Sequence, residues 1–491
     1  MAYDYFDHIK KIRTGIRVYS ELLIEKSLDV WNIKTRVGLF FFSLLLSFGL
    51  VYFLSPEEFS QAQQYTLFIL IFSICLWSTE AIPPFAVGIL IMGFLGYTMG
   101  NIEGATISPK QISDMWSDSV IWIFLGGFFL SEGMRKTNLD LSLFRRTISI
   151  FGTKPNLLVL GIILVTSVLS LIISNTATAA MILASVMPFI DREGKDSPMS
   201  KAILVSIPVA ATFAGMASLI SSPPNLIVVD ALKYKGFEVT FFDWFILGFP
   251  PSVFLLFFFW KAVVRKYTSQ VETVDLSFMN DLVKMTPKLK LDRLFVIIIL
   301  SITVLLWMLG SKLHIPTAAT SIIPIMFLPM LGIITAEDVR KLPWDTLMLV
   351  AGGLALGIAI KELLAPYYSQ FLADIEFNKF VMMLVFGLVT VLFSNIMSST
   401  ATATIVINIA AVVLPTDQIL PVGLVIGLCA SCGLFLPVST PPNAIVFSTG
   451  MLAQKDFRLG GIFGAVVGTA VIMLWVLFLD YFTPFMEMVT K

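Results

Sequence analysis

The sequence predicts an all-α polytopic membrane protein built from two repeated halves, and three observations predict it. The 491-residue chain is 57% hydrophobic and only 13% charged, with a mean hydropathy of +0.88, far too apolar for a protein solvated by water. Apolar runs recur from end to end, among them 37–54, 65–76, 157–173 and 294–309, and they add up to about ten to twelve passes through a hydrocarbon core roughly 30 Å thick. The third observation is a set of polar motifs that recurs in the same order at nearly one spacing.

Charge and cysteine usage narrow the class. Lys and Arg balance Asp and Glu at 33 each, so nothing points to a nucleic acid or acidic partner. Basic residues concentrate in the first 36 residues and in the stretch 265–293, which places both on the cytoplasmic side of the cell (inner, plasma) membrane with the amino terminus inside. The first apolar run follows this basic segment and leads straight into further spans, which is not the pattern of a cleaved leader. Cys75, Cys429 and Cys432 lie in apolar stretches and read as small core residues, and two histidines, His8 and His314, cannot build a metal cluster.

The repeat divides the chain. Trp116–Leu130 (WSDSVIWIFLGGFFL) resembles Trp344–Gly357 (WDTLMLVAGGLALG), SNTATA from Ser174 resembles SSTATA from Ser398, and SSPPNLI from Ser221 resembles STPPNAI from Ser439. The offsets are 226 residues between Gly126 and Gly352, 224 between Ser174 and Ser398, and 218 between Pro223 and Pro441. This gives a cytoplasmic segment (1–36), a first repeat (37–264), a linker (265–291) and a second repeat (292–491). Re-entrant hairpins are expected near 117–136 and 345–362, and broken helices near 174, 222, 398 and 440. The glycine pairs Gly126–Gly127 and Gly352–Gly353 read equally as hairpin tips or as close-packing positions. An odd number of crossings per half would invert one repeat against the other and bring the halves together at mid-membrane.

The motifs point to anion binding. SNTAT falls in the middle of the apolar stretch 157–190, where hydroxyl and amide groups are costly to bury without partners. A helix break there lets Ser174 or Asn175 cap a new helix near Thr176 and leaves backbone N–H groups facing the gap. Such an end carries roughly half a positive charge and attracts a carboxylate without any Lys or Arg. The twin at Ser398 supplies a second end, which suits a guest with two carboxylates. The Pro-Pro pairs cannot continue a helix but can start one, so each reads as an unwound loop before another helix. Glu80, Asp118, Glu132 and Glu362, near the ends of apolar runs, read as interfacial or capping groups.

With these residues in view, the chain from about Leu39 to its end resembles the divalent-anion/sodium symporter family of dicarboxylate and citrate carriers. The resemblance rests on SNT at Ser174–Thr176, SST at Ser398–Thr400, and SPPN and TPPN at Ser222 and Thr440. It implies a homodimer whose protomers each combine a scaffold domain with a transport domain moving as an elevator. It places substrate contacts on Ser174, Asn175, Thr176, Ser222, Pro223, Ser398, Ser399, Thr400, Thr440 and Pro441. It places sodium sites on Ser170, Ser174, Asn175 and Ser221, and on Ser394, Met397, Ser399 and Ser439, with no other cofactor. Two positions depart from the pattern: Ser399 stands where the sodium-coupled members have asparagine, and Ser221 where glycine is usual. These favour dicarboxylate exchange slightly over sodium symport, with succinate, malate, fumarate or 2-oxoglutarate as cargo and citrate or sulfate behind them.

Other classes fit less well. A channel needs a continuous polar pore, and no ring of charge builds one. A membrane hydrolase using Ser174 or Ser398 lacks a neighbouring base, and an ATP-driven pump lacks a phosphate-binding Gly-rich loop. The chain is therefore read as a carrier and not an enzyme.

Overall fold

The computed structural model describes residues 33–102, 106–194, 197–268, 286–371, 378–437 and 439–482. Most of the amino-terminal segment and most of the linker read as cytoplasmic lie outside them. The described residues are helical with no strand, as expected where lipid offers no partner to an open backbone. Among the described residues, eight helices are long and apolar enough to cross a membrane, and five further apolar helices of 10–17 residues are shorter.

The helices repeat in order. After α1 (Ile33–Leu54) come α2 (Gln61–Thr79), α3 (Pro84–Gly100), α4 (Ser119–Lys136), α5 (Leu139–Phe151), α6 (Pro155–Ser170), α7 (Asn175–Glu193), α8 (Pro198–Gly215), α9 (Pro223–Tyr234) and α10 (Phe241–Val263). The second half gives α11 (Pro287–Leu313), α12 (Ile322–Met330), α13 (Trp344–Ala359), α14 (Lys379–Ile396), α15 (Ser399–Val413), α16 (Thr416–Cys429), α17 (Pro441–Phe447) and α18 (Thr469–Phe482). Pairs α4/α13, α6/α14, α7/α15, α8/α16 and α9/α17 carry the repeated motifs at their ends.

The chain does not reverse at the glycine pairs, contrary to the hairpins expected at 117–136 and 345–362. Both α4 and α13 run unbroken through them. The glycines serve close packing instead. A Cβ on Gly126 would stand 2.7 Å from Ser321 Cβ, one on Gly352 would strike the backbone of Gly88, and one on Gly88 would meet Met348 O at 2.5 Å. Small residues let the backbones of α3 and α13 touch, a packing mode that suits helices in lipid. The helix–break–helix elements are α6–α7 and α14–α15, whose breaks fall at the two STAT motifs.

The ends of these helices are secured locally. Asp118 Oδ1 accepts from Val120 N at 2.8 Å and caps α4, and Glu132 pairs with Arg135 in the last turn of α4, whereas Glu362, paired with Lys361 at 3.5 Å, lies in a π-helical turn within the continuous helix Trp344–Tyr368 and not at an end. Arg293 ties the second half to the first, donating from Nε to Thr137 O at 2.7 Å and from Nη2 to Asn138 O at 2.8 Å, where α4 turns into α5. Cys429 and Cys432 are buried and Cys75 half-buried. Large apolar side chains such as Phe41, Leu45 and Phe53 on α1 and Leu294 and Leu305 on α11 face outward, as a lipid-solvated surface requires.

The α3–α13 crossing gives a test. Replacing Gly352 by Val should destabilise the purified protein by about 1–3 kcal/mol or more, since backbone cannot move aside. Gly93→Ala, with open space around it, should stay within roughly 0.5 kcal/mol; thermal unfolding in detergent compares the two.

Candidate functional site

Four helices begin around one cavity of about 420 Å3, inside the range of roughly 300–1,000 Å3 usual for small-molecule sites. They are α7, α15, α9 and α17. Ser174 is extended (φ −60°, ψ 145°) and its Oγ accepts from Ala177 N at 3.3 Å, so it caps α7. Ser398 repeats this (φ −62°, ψ 143°), accepting from Ala401 N at 3.2 Å. Thr440 Oγ1 accepts from Asn443 N at 3.3 Å and caps α17, whereas Ser222, at the start of α9, makes no side-chain cap. The serine therefore caps and the helix starts one residue earlier than Thr176, at Asn175.

The cavity gathers Ser174, Asn175, Thr176, Ser222, Pro223, Ser399, Thr400, Thr440 and Pro441 into one lining, together with Ser221. Ser398 acts one step behind it, as the cap. The first turns of α7 and α15 thus meet across one space, and each brings the positive end of a helix dipole. Among the described residues no Lys or Arg lines the cavity, and the one charged residue there is Asp345, exposed at the start of α13. Phe124, Phe128 and Thr346 complete the wall and were not singled out from the sequence.

Behind the cavity, the loops before α9 and α17 are tied down by the asparagines of the Pro-Pro-Asn motifs. Asn225 Nδ2 shares its two hydrogens among Gly215 O (3.1 Å), Met216 O (3.3 Å) and Ser218 O (2.8 Å), carbonyls at the broken end of α8. Asn443 Nδ2 donates to Leu434 O (3.2 Å) and Leu436 O (3.0 Å), which follow the end of α16. The sequence signal for this role was the repeated asparagine itself. Trp244 Nε1 adds a bond to Met216 O at 3.0 Å.

The two STAT breaks differ in their polar network. Ser170 Oγ lies 2.6 Å from Asn175 Oδ1 and 2.7 Å from Ala211 O. One hydroxyl hydrogen cannot serve two acceptors. The consistent assignment turns the amide so that Nδ2 donates to Ser170 Oγ, which donates to Ala211 O, and frees the amide oxygen. Gly215 makes room for this amide, since a Cβ there would collide with it. In the second half Ser399 is too short to repeat the contact, and Ser394 Oγ is buried without a hydrogen-bond partner among the described residues.

Further buried oxygens around the breaks lack partners: Thr178 Oγ1, Ser218 Oγ, Ser221 Oγ and Asn225 Oδ1 in the first half, Thr402 Oγ1, Ser431 Oγ and Asn443 Oδ1 in the second. Thr178 and Thr402 are repeat partners, as are Asn225 and Asn443. Unpaired buried oxygens are costly in an apolar interior, and electron-rich pockets of this type fit a hard cation such as sodium. Of the expected sodium ligands, Ser221 and Ser394 belong to this unpaired set. Met397 is extended (φ −124°, ψ 176°), and Ser439 Oγ donates to Leu436 O at 2.7 Å. Among the described residues no group of His, Cys, Asp or Glu could hold a transition metal.

The asparagine ties are testable on stability alone. Asn225→Ala takes the amide donor from Ser218 O and Asn443→Ala takes it from Leu434 O, while Gly215 O, Met216 O and Leu436 O keep bonds from Ser218 N, Trp244 Nε1 and Ser439 N; each variant should cost about 1–3 kcal/mol, seen as a fall in the unfolding midpoint in detergent.

The chain is similar to known proteins over most of its length. The model of the sodium:sulfate symporter transmembrane region matches residues 34–488. A sodium-dependent dicarboxylate transporter, SdcS, of Staphylococcus saprophyticus is 30% identical over 486 residues, covering 91% of this chain and 92% of its own. SdcS of Staphylococcus aureus is 29% identical over 478 residues, covering 89% and 90%. The crystal structure of the Alcanivorax borkumensis YdaH transporter shares the fold, with a TM-score of 0.54 at 13% identity over 82% of this chain and 99% of that one. With its paired helix breaks gathered on one cavity and its sequence matched almost from end to end, this chain belongs to the sodium:sulfate symporter family, the divalent-anion/sodium symporters resembled by its motifs, and is a multi-pass membrane transporter rather than an enzyme.

Proposed function

We propose that the protein is a sodium-coupled symporter of C4-dicarboxylates or 2-oxoglutarate in the cell membrane. The observation that carries this reading is the meeting of two repeat-related helix starts, at Asn175 and Ser399, around one cavity without a lysine or arginine. Such a site takes its positive potential from backbone amides, which suits one carboxylate at each end of a short chain. Asp345 at the rim would repel a dianion in the absence of added positive charge, and bound sodium supplies that charge.

The slight preference for exchange drawn from Ser399 and Ser221 gives way here to symport. Ser399 loses an amide oxygen, but Ser394, Thr402, Ser431 and Asn443 leave unpaired oxygens in the same half, and the similar proteins from staphylococci are named as sodium-dependent dicarboxylate transporters. Sodium coupling also answers the electrical cost of importing a dianion into a negative interior, about 2.3 kcal/mol per charge per 100 mV. Two sodium ions per dicarboxylate make the step electroneutral. In this reading one repeat is inverted against the other, the helix-break elements belong to a transport domain that moves as an elevator against a scaffold, and two protomers associate through the scaffold.

Uptake of labelled succinate into empty proteoliposomes should require external sodium and should not require internal dicarboxylate. Uptake indifferent to sodium but dependent on internal dicarboxylate would establish exchange and overturn the symport reading. Asn175→Ala should cut uptake at least tenfold while leaving the protein monodisperse, because it removes an amide from the cavity wall; a wild-type rate in that variant contradicts the site.

A further inference from the structure

The helix α9 that begins at the cavity with Pro223 carries a carboxylate with no task in the site just described. Asp230 lies seven residues on, about 10 Å along the axis. It is 3% exposed, and its Oδ2 has no hydrogen-bond partner among the described residues. The repeat does not demand an acid there: 218 residues later stands Ser448, whose Oγ simply donates to Ile445 O at 2.8 Å. Asp230 is thus a departure from the repeated scaffold at a buried position, and its Oδ2 forms no hydrogen bond among the described residues that would explain it structurally.

Its surroundings are built like a proton port. Asp230 forms a wall between two further cavities. One, of about 30 Å3, has room for a water molecule and is lined also by Lys235, Lys361 and Asn408. The other, of about 360 Å3, is lined also by Lys233, Glu238 and Thr317. The helices packed on α9 are α15, α16, α13 and α4. From α15 come Ile407, Asn408 and Ala411, without charge. The one ionisable acid or base of α16 is Asp417 in its first turn; α13 brings Asp345 in its first turn and Lys361 just beyond its end. At the start of α4 stands Asp118, whose charge acts on Asp230 together with that of Lys233.

We infer that Asp230 is a proton-binding site, so that this transporter takes up and releases a proton on α9 in addition to handling its substrate and sodium. The inference rests on the transport reading for its consequence but not for the binding itself. An ionised carboxylate in this enclosure needs a counter-charge or a proton. A proton needs only one lone pair, and Oδ2 has one without a hydrogen-bond partner among the described residues. Water in either cavity delivers the proton, an O–H bond forms on the carboxyl, and the reverse step returns it. The neutral acid suits the closed packing of α9 against α13 and α15; the ionised form draws in water, Lys235 or Lys361 and holds α9 in place. Transport should therefore slow as pH rises.

The test uses full-length protein and the isosteric variant Asp230→Asn, with Asp230→Glu as the variant that keeps an acid. Infrared difference spectra of the detergent-purified protein, titrated across neutral pH, should show a protonated carboxyl band in the wild type that is missing from Asp230→Asn. In proteoliposomes with external sodium, over a mildly alkaline range where succinate remains doubly ionised, wild-type uptake should fall severalfold. Asp230→Asn should stay at the low-pH rate throughout, and Asp230→Glu should keep the slope. Wild-type spectra without such a band, or an Asp230→Asn variant with the wild-type slope, would overturn the proton site. Wild-type protein that shows the band but moves no succinate would leave the proton site standing and sink the proposed function instead. If Asp230→Asn does not yield folded protein, Asp230→Ser, which copies the repeat partner, takes its place in both measurements with the same expected outcomes.

Discussion

The structure depends on one constraint: helices that start and stop inside an apolar body must have their open backbone groups satisfied from within. At the amino ends of α7, α15 and α17 the solution is a side-chain cap from Ser174, Ser398 and Thr440. At the carboxyl ends of α8 and α16 it is an asparagine amide reaching back from the next helix. These arrangements satisfy some of the exposed groups and leave first-turn residues of the capped helices lining a cavity. The site is what remains open after the fold has closed its own backbone ends.

Close packing supports the same breaks from outside. Gly248 on α10 and Gly464 ahead of α18 each let a helix lie against a broken end. A Cβ on Gly248 would meet Met216 O at 2.5 Å, and one on Gly464 would meet Cys432 O at 2.6 Å. These are the carbonyl-bearing residues next to the ends of α8 and α16. The glycines therefore hold long helices against short ones at the depth where the chain unwinds, as small residues do between helices in lipid.

Much of this was legible in the sequence because the constraint writes itself in residue types. Serine or threonine before an apolar run reads as a cap, a Pro-Pro pair as a helix start, and a polar cluster inside an apolar stretch as a break. Repetition made each reading stronger than any motif alone. What could not be read was the third dimension. The glycine pairs have the same spelling as a tight turn or a helix crossing, and only the contact between Gly352 and Gly88, far apart in sequence, decides for the crossing. For the same reason Asp345 and Phe124 joined the cavity unannounced, since their helices pass it from the side. The roles of Asn225 and Asn443 were half visible: the asparagines repeat, but the carbonyls they serve belong to the preceding helix.

The differences between the halves carry as much function as the likeness. A strictly symmetric pair of breaks would offer two equal amide-lined pockets. Here the first break has Asn175 bonded to Ser170, while the second has Ser399 and a Ser394 hydroxyl without a hydrogen-bond partner among the described residues. A hydroxyl that is not engaged by a neighbour can accept an ion, so in the proposed symport reading serine in place of asparagine would remove one candidate ligand oxygen and release another. The exchange of residue type therefore does not by itself empty the site. In the proposed symport reading it would shift the burden from an amide held in place by packing to hydroxyls whose orientation a bound cation sets, and the second break would then depend more on sodium for its order.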